Sequence, residues 1–375
     1  MLGFASALSG LGLEMHILAP GERSRAVSRN LAIHGYGGSL VENMHFLSRR
    51  VYESKVFARK TVLHPRLLNV VIGNFERVVT RWSKQLKLDI VEGQQEIAAR
   101  ACINASRKGN FRCVSRFQNV WFEECRELGL LSEGDPGLEY LRDMTQTILE
   151  QSDKVITLTS YMKEYFLSHF EVENDSQIAC VQPGTHLRPP STARDSRLKR
   201  IVYSGTLSEL EGLELFIQAA RILGRPAEFS ICGRGPKESA FRRMAGMVYP
   251  SMCFDWFDKR TDYYNHLSSS YVGVVPWANT PSRRLGFPMK LLDYISVGLP
   301  VLASAIGSWS DIVQEHGFGL LCSPNPSDWA RSMRQICDDE ATAHSMGKKA
   351  LEAGRNVFNW NISATSLLEI YNSLH

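Results

Sequence analysis

The sequence predicts an α/β protein built from two parallel-sheet domains, and three observations lead there. Its 375 residues amount to more than two domains' worth at about 150 residues each. Short β-branched runs such as 271–276 (YVGVVP) alternate with helical stretches along the chain, the order that builds parallel sheets through crossover helices. The clearest such unit is 286–304, GFPMKLLDYISVGLPVLAS. Pro288 suits the first position of a helix, the helix closes near Gly298-Leu299-Pro300, and Val301–Ser304 reads as the next strand.

Composition narrows the function classes. Hydrophobic content of 44% and charged content of 22% are ordinary globular values. A net charge of +4 is too small to argue for nucleic acid, and no recognition motif for it is present. The eight cysteines are scattered, with no C-x-x-C pair and no metal-ligand spacing. They read as reduced, mostly buried thiols, which points to a cytoplasmic protein. No apolar run reaches the ~18 residues that a membrane span needs. The sequons at Asn104 and Asn361 read as chance matches in a chain with no recognisable secretory signal.

Taken in order, 4–12 reads as the end of a helix and 14–20 as a strand. From 49 to 87 ten cations stand against Glu53 and Glu76, interleaved with apolar residues at roughly helical spacing. The first reading of that stretch is a solvated helical face over the core. The second is peripheral contact with anionic lipid. Strands follow at 88–92 and 111–114, a helix at 138–152, a strand at 153–159 leading to a helix capped by Ser160, and a strand at 178–184. A polar linker, 189–195, separates the halves. The second half opens with a strand at 200–204 and the turn 205–212 (GTLSELEG), then a strand from 228 running into Gly233-Arg234-Gly235. A helix over about 362–374 ends the chain.

Two side chains in 286–304 carry chemistry. Lys290 falls in a helix's first turn, where the dipole disfavours a cation by roughly 0.3–1 kcal/mol. An anion between the ammonium and the free amides would account for it, and phosphate is the usual one. Asp293, about one turn on, could accept hydrogen bonds from sugar hydroxyls. The plainer alternative is a surface Lys–Asp pair on an ordinary helix.

The whole string resembles the nucleotide-sugar signature of retaining GT-B glycosyltransferases of family four (group 1), which often reads P-x-K-x-x-E-Y-x-x-x-G-x-P-V. Here the matching residues are Pro288, Lys290, Asp293, Tyr294, Gly298, Pro300 and Val301, with Asp in place of Glu. The resemblance implies two Rossmann-like domains facing a cleft. Residues 1–186 with a closing helix at 360–375 would form the acceptor side, and 187–359 the nucleotide-sugar side. It implies transfer of a sugar from a nucleotide-diphosphate sugar to a glycan, lipid or small-molecule acceptor with retention, as in polysaccharide or glycoconjugate biosynthesis. Lys290 would contact the diphosphate and Asp293 the ribose. Further donor contacts would come from Gly205, Thr206, Arg234, Phe287, Pro288 and Leu291, with 257–266 near the base. Arg116, Gln118 and Trp121 match an R-x-H-x-x-W pattern whose histidine faces the reacting sugar, so Gln118 joins Lys290 as a catalytic candidate. No metal and no cofactor beyond the donor are implied.

Four departures stand out. Leu285 replaces a second acid, Thr206 and Glu211 replace an Arg and a Lys that would bind the diphosphate, and Gln118 cannot titrate. The pattern's first strand and glycine-rich turn would lie ahead of Met1, so the first sheet is expected to lack that strand. The missing strand, Gln118 and the lost Arg/Lys pair support an alternative: a catalytically weak or inactive scaffold that binds a nucleotide sugar or a partner subunit.

Overall fold

A computed structural model describes residues 2–20, 24–36, 63–189, 199–224 and 227–374. They fall into two compact units, Met1–Pro183 with Trp360–His375, and Gly184–Asn359.

The second unit holds six parallel strands: β8 (Arg200–Ser204), β9 (Glu228–Cys232), β10 (Cys253–Asp255), β11 (Val272–Val275), β12 (Val301–Ser304) and β13 (Gly319–Cys322). Their spatial order is β10-β9-β8-β11-β12-β13, the doubly wound arrangement whose strand order reverses between β8 and β11. Every residue of β11 and β12 is buried, as a parallel sheet covered on both faces demands. Tyr294 pins the signature helix, Met289–Ser296, to this sheet. Its ring lies over Gly273, where a Cβ would come within 2.6 Å of it. Its hydroxyl accepts from the Ser204 amide at 2.8 Å and lies 3.1 Å from the Val274 carbonyl. The helix begins at Met289 with Pro288 as the N-cap, one position later than the sequence suggested. Proline still fits there, because a cap residue has an extended backbone.

The first unit carries two sheets. β4 (Ile90–Gln94), β5 (Arg112–Phe117), β6 (Lys154–Thr157) and β7 (Ile178–Cys180) run parallel in chain order. A separate three-stranded sheet has β1 (Met15–Pro20) parallel to β3 (Leu31–Tyr36), with β2 (Arg25–Ser28) antiparallel at its edge. β1 and β4 do not pair with each other, although Met15 and Ile90 both pack on one cluster formed by Phe4, Leu8, Val114, Ile156, Leu367 and Tyr371. The Trp360–Asn372 helix therefore completes the core of the first unit.

Of the basic stretch, 49–62 lies outside the described residues. The rest forms the Pro65–Leu86 helix, which buries Leu68, Val71, Ile72 and Val79 and leaves Arg66, Arg77, Arg81 and Lys84 exposed. That is the geometry of a solvated face over the core. The cap of the Ser160–His169 helix is Thr159, whose hydroxyl accepts from the Met162 amide at 3.2 Å; Ser160 is already helical. Of the expected linker, 189–195, all but Pro189 is also outside the described residues. No described helix is long and apolar enough to cross a membrane.

Candidate functional site

At the carboxyl end of β8 the chain turns through Gly205 and Thr206, and at the end of β9 through Gly233-Arg234-Gly235. The two turns pair backbone to backbone: the Gly205 amide donates to the Cys232 carbonyl at 2.9 Å and the Leu207 amide to the Arg234 carbonyl at 3.0 Å. Gly205 has φ +141°, and a Cβ there would sit 2.7 Å from Lys290 Cε and 3.3 Å from its Nζ. The Lys290 side chain thus lies across Gly205, at the strand-order reversal where open α/β sheets bind ligands.

Lys290 is buried, and so is Glu211. The ammonium donates to Glu211 Oε2. Trp277 Nε1 donates to the same oxygen at 3.0 Å, the Tyr203 hydroxyl lies 2.9 Å from it, and Arg283 NH2 is 3.5 Å from Oε1. The Lys290 ammonium also rests 4.6 Å from the Tyr203 ring centre. Next to Glu211, Gly212 (φ +67°) packs its backbone on the Pro276 carbonyl oxygen, where a Cβ would be 1.7 Å away. Burial raises the Glu211 carboxyl, but the Lys290 and Arg283 cations more than offset it and hold it below its ordinary value. Burial lowers the Lys290 ammonium, and Glu211 restores only part of that loss. The sequence had suggested that Glu211, standing where a helper cation would be, throws more of the phosphate binding onto Lys290. Instead the two are partners.

Asp293 is half-buried and already occupied. The Tyr264 hydroxyl meets its Oδ1 at 2.7 Å and the Tyr263 hydroxyl its Oδ2 at 3.0 Å. Burial raises its pKa, and these hydroxyls with Arg260 and Arg188 compensate only in part. Thr206 is exposed and Gly205 half-buried. Arg234 is exposed and stacks on Trp256, 4.7 Å from guanidinium carbon to ring centre; Trp256 Nε1 donates to Asp258 at 2.9 Å. Phe287 packs against Phe358, while Pro288 and Leu291 are buried. All three lie in packing rather than on an open surface. Sequence reasoning missed Arg283, Trp277, Trp256 and the Tyr263–Tyr264 pair. For the tyrosines, the expectation that 257–266 lies on the nucleotide side was the available signal.

In the first unit, Gln118 is exposed after β5. Its side chain donates to Gln94 Oε1 at 3.0 Å, its amide to Gln95 Oε1 at 3.3 Å, and Gln95 in turn pairs with Asn119. Gln95 holds φ +63°, a left-handed conformation rare outside glycine. Beside it Glu96 is 1% exposed, its Oε1 accepting from the Trp121 amide at 2.9 Å. Burial pushes this carboxyl up to about 7. Arg116, by contrast, is sealed in the core beneath Phe4 and does not share the surface of Gln118. β5 ends at Phe117, so Arg116 is still held in the sheet while Gln118 belongs to the turn that follows it. Among the described residues no three His, Cys, Asp or Glu side chains converge as a metal site would require.

Comparisons place this geometry among known proteins. Residues 188–353 match the family described as Glycosyl transferases group 1. The chain is 24% identical over 390 residues to the D-inositol 3-phosphate glycosyltransferase of Paenarthrobacter aurescens (strain TC1), covering 98% of this chain and 90% of that protein. Among solved structures, the sucrose-phosphate synthase (tll1590) from Thermosynechococcus elongatus superimposes with a TM-score of 0.77 at 19% identity, over 99% of this chain and 91% of that one. The E. coli trehalose-6-phosphate structure bound with UDP-2-fluoro glucose gives a TM-score of 0.71 at 12% identity, over 99% and 95%. The fold is that of a GT-B glycosyltransferase, two Rossmann-like units in one chain. Most of its second unit is similar to the group 1 glycosyl transferases.

Proposed function

We propose that the protein moves a sugar from a nucleotide-diphosphate sugar to a hydroxyl-bearing acceptor, with retention at the anomeric carbon. The observation that carries this is Lys290, buried across Gly205 where the β8 and β9 turns meet. A diphosphate seated there would receive the ammonium, the Thr206 amide and the first-turn amides of the signature helix; the Gly205 amide is already engaged by the Cys232 carbonyl. As the bond from the anomeric carbon to the diphosphate breaks, these groups meet the developing charge. The acceptor oxygen takes the carbon, and its proton passes to the departing diphosphate or to water. Arg234 with Trp256 would lie on the nucleoside side. Asp293 would reach the ribose once Tyr263 or Tyr264 releases it, and Gln118 would hold a sugar hydroxyl as donor and acceptor. Phe287, Pro288 and Leu291 would act through the backbone and by shaping the helix start.

The test is calorimetric titration with UDP and GDP, followed by turnover assays with acceptors. A small polyol phosphate comes first among acceptors, because relatives are named for D-inositol 3-phosphate. Binding of one nucleotide supports the reading. Binding of neither would favour the second reading, a weak or inactive scaffold, which the Lys290–Glu211 ion pair itself suggests. A cytoplasmic location is part of the same proposal, on the reading of the scattered cysteines as reduced thiols. Peripheral lipid contact through the basic helix is the lesser reading of its exposed cations.

A further inference from the structure

We infer that Glu211 is a built-in competitor for Lys290, which weakens the site's hold on a free nucleoside diphosphate and so promotes product release. This rests on the reading of Lys290 as the diphosphate ligand. The carboxylate is not a loose surface acid. The neighbouring Gly212 packs against Pro276, and the Glu211 side chain is only 8% exposed. Trp277 and Tyr203 hold Oε2 from two sides, so it cannot swing away when an anion arrives. The ammonium it grips lies over Gly205. A phosphate reaching the Gly205–Thr206 turn therefore meets Lys290 already paired and a fixed negative charge immediately behind it. Like charges this close in a desolvated site repel strongly.

Arg283 decides the balance. Two cations and one carboxylate are gathered within ion-pair reach, so the cluster keeps one net positive charge. A net positive cluster attracts both forms of the ligand, but repulsion from Glu211 grows with ligand charge, and a free diphosphate carries one more negative charge than a sugar-esterified one. Glu211 thus acts most strongly against the product.

The experiment titrates wild type, Glu211→Gln and Glu211→Met with UDP, GDP, UDP-glucose and GDP-mannose, with a thermal melt for each protein. Gln keeps an oxygen for Trp277 and Tyr203, whereas Met has similar length with no charge and no donors. The expected result is at least about tenfold tighter binding of the free diphosphate, equivalent to ~1.4 kcal/mol, with a smaller gain for the sugar-bound form. Equal or weaker diphosphate binding in a folded variant would overturn the inference and make Glu211 a residue that merely positions Lys290. A wild type that binds none of the four would instead sink the reading of the site as a donor pocket.

Discussion

The Arg116 guanidinium grips the Glu92 carboxylate at two points, Nε to Oε1 at 2.7 Å and NH2 to Oε2 at 2.8 Å. Tyr371, from the chain's last helix, adds its hydroxyl to Oε2 at 2.6 Å. The Arg116 side chain is 2% exposed. Removing one partner would strand a buried charge, so Arg116→Met should cost about 3–5 kcal/mol in urea unfolding. The double variant Arg116→Met with Glu92→Met should recover much of that loss. A double variant as unstable as the single one would show that the pair's charges are not what matters.

Tyr294→Phe should destabilise the protein by about 1–3 kcal/mol, because the buried Ser204 amide loses its acceptor. The ring and its seat on Gly273 remain, so the far-ultraviolet spectrum should not change. An unchanged melting temperature would mean that the hydroxyl is dispensable to the sheet–helix junction.

Glu96 gives a pH dependence of definite sign. Its folded pKa, about 7, lies above the usual carboxyl value. Between about pH 4.5 and 7 the folded state therefore holds a proton that the unfolded state has lost. Stability falls as pH rises through this window, by up to about 2–3 kcal/mol from this one group. Glu96→Gln keeps the oxygen that faces Trp121 and should lose this part of the decline. Identical curves of stability against pH for the two proteins would contradict the assignment.

The exposed cations Arg66, Arg77, Arg81 and Lys84 test the membrane alternative. As a solvated face, the helix gives equal recovery of protein with neutral and anionic vesicles in a flotation assay. Recovery that favours anionic vesicles and falls as salt shortens the screening length would assign it to lipid instead.

What was legible in the sequence follows from where each signal resides. β8 and β12 were read with their observed ends because each is a continuous apolar run between turn residues. β2, with all four residues exposed, offers no such run, and β10 spans only three residues. The Lys290 site was legible because its glycine turns and its helix start are each written locally. The Glu211 cluster was not. Its partners Tyr203, Trp277, Arg283 and Lys290 come from separate parts of the chain and meet only in the folded unit. Asp293 was expected to face a sugar for the same reason: the tyrosines that occupy it belong to another helix, Arg260–Ser268. Arg116 and Gln118 lie two apart in a matched pattern, yet one is core and the other surface.

The central claim is that Lys290 holds the donor diphosphate, and calorimetry of Lys290→Ala against wild type with UDP and GDP tests it most directly. A charge-assisted hydrogen bond contributes about 1.5–3 kcal/mol, so the account predicts roughly ten- to a hundredfold weaker binding in a protein whose melt shows it folded. Lys290→Arg should recover little, since a planar fork does not replace a compact ammonium. Asp293→Asn should lose less, because one hydroxyl contact survives. Equal affinity of wild type and Lys290→Ala for the nucleotide would contradict the account and move the phosphate elsewhere on the fold.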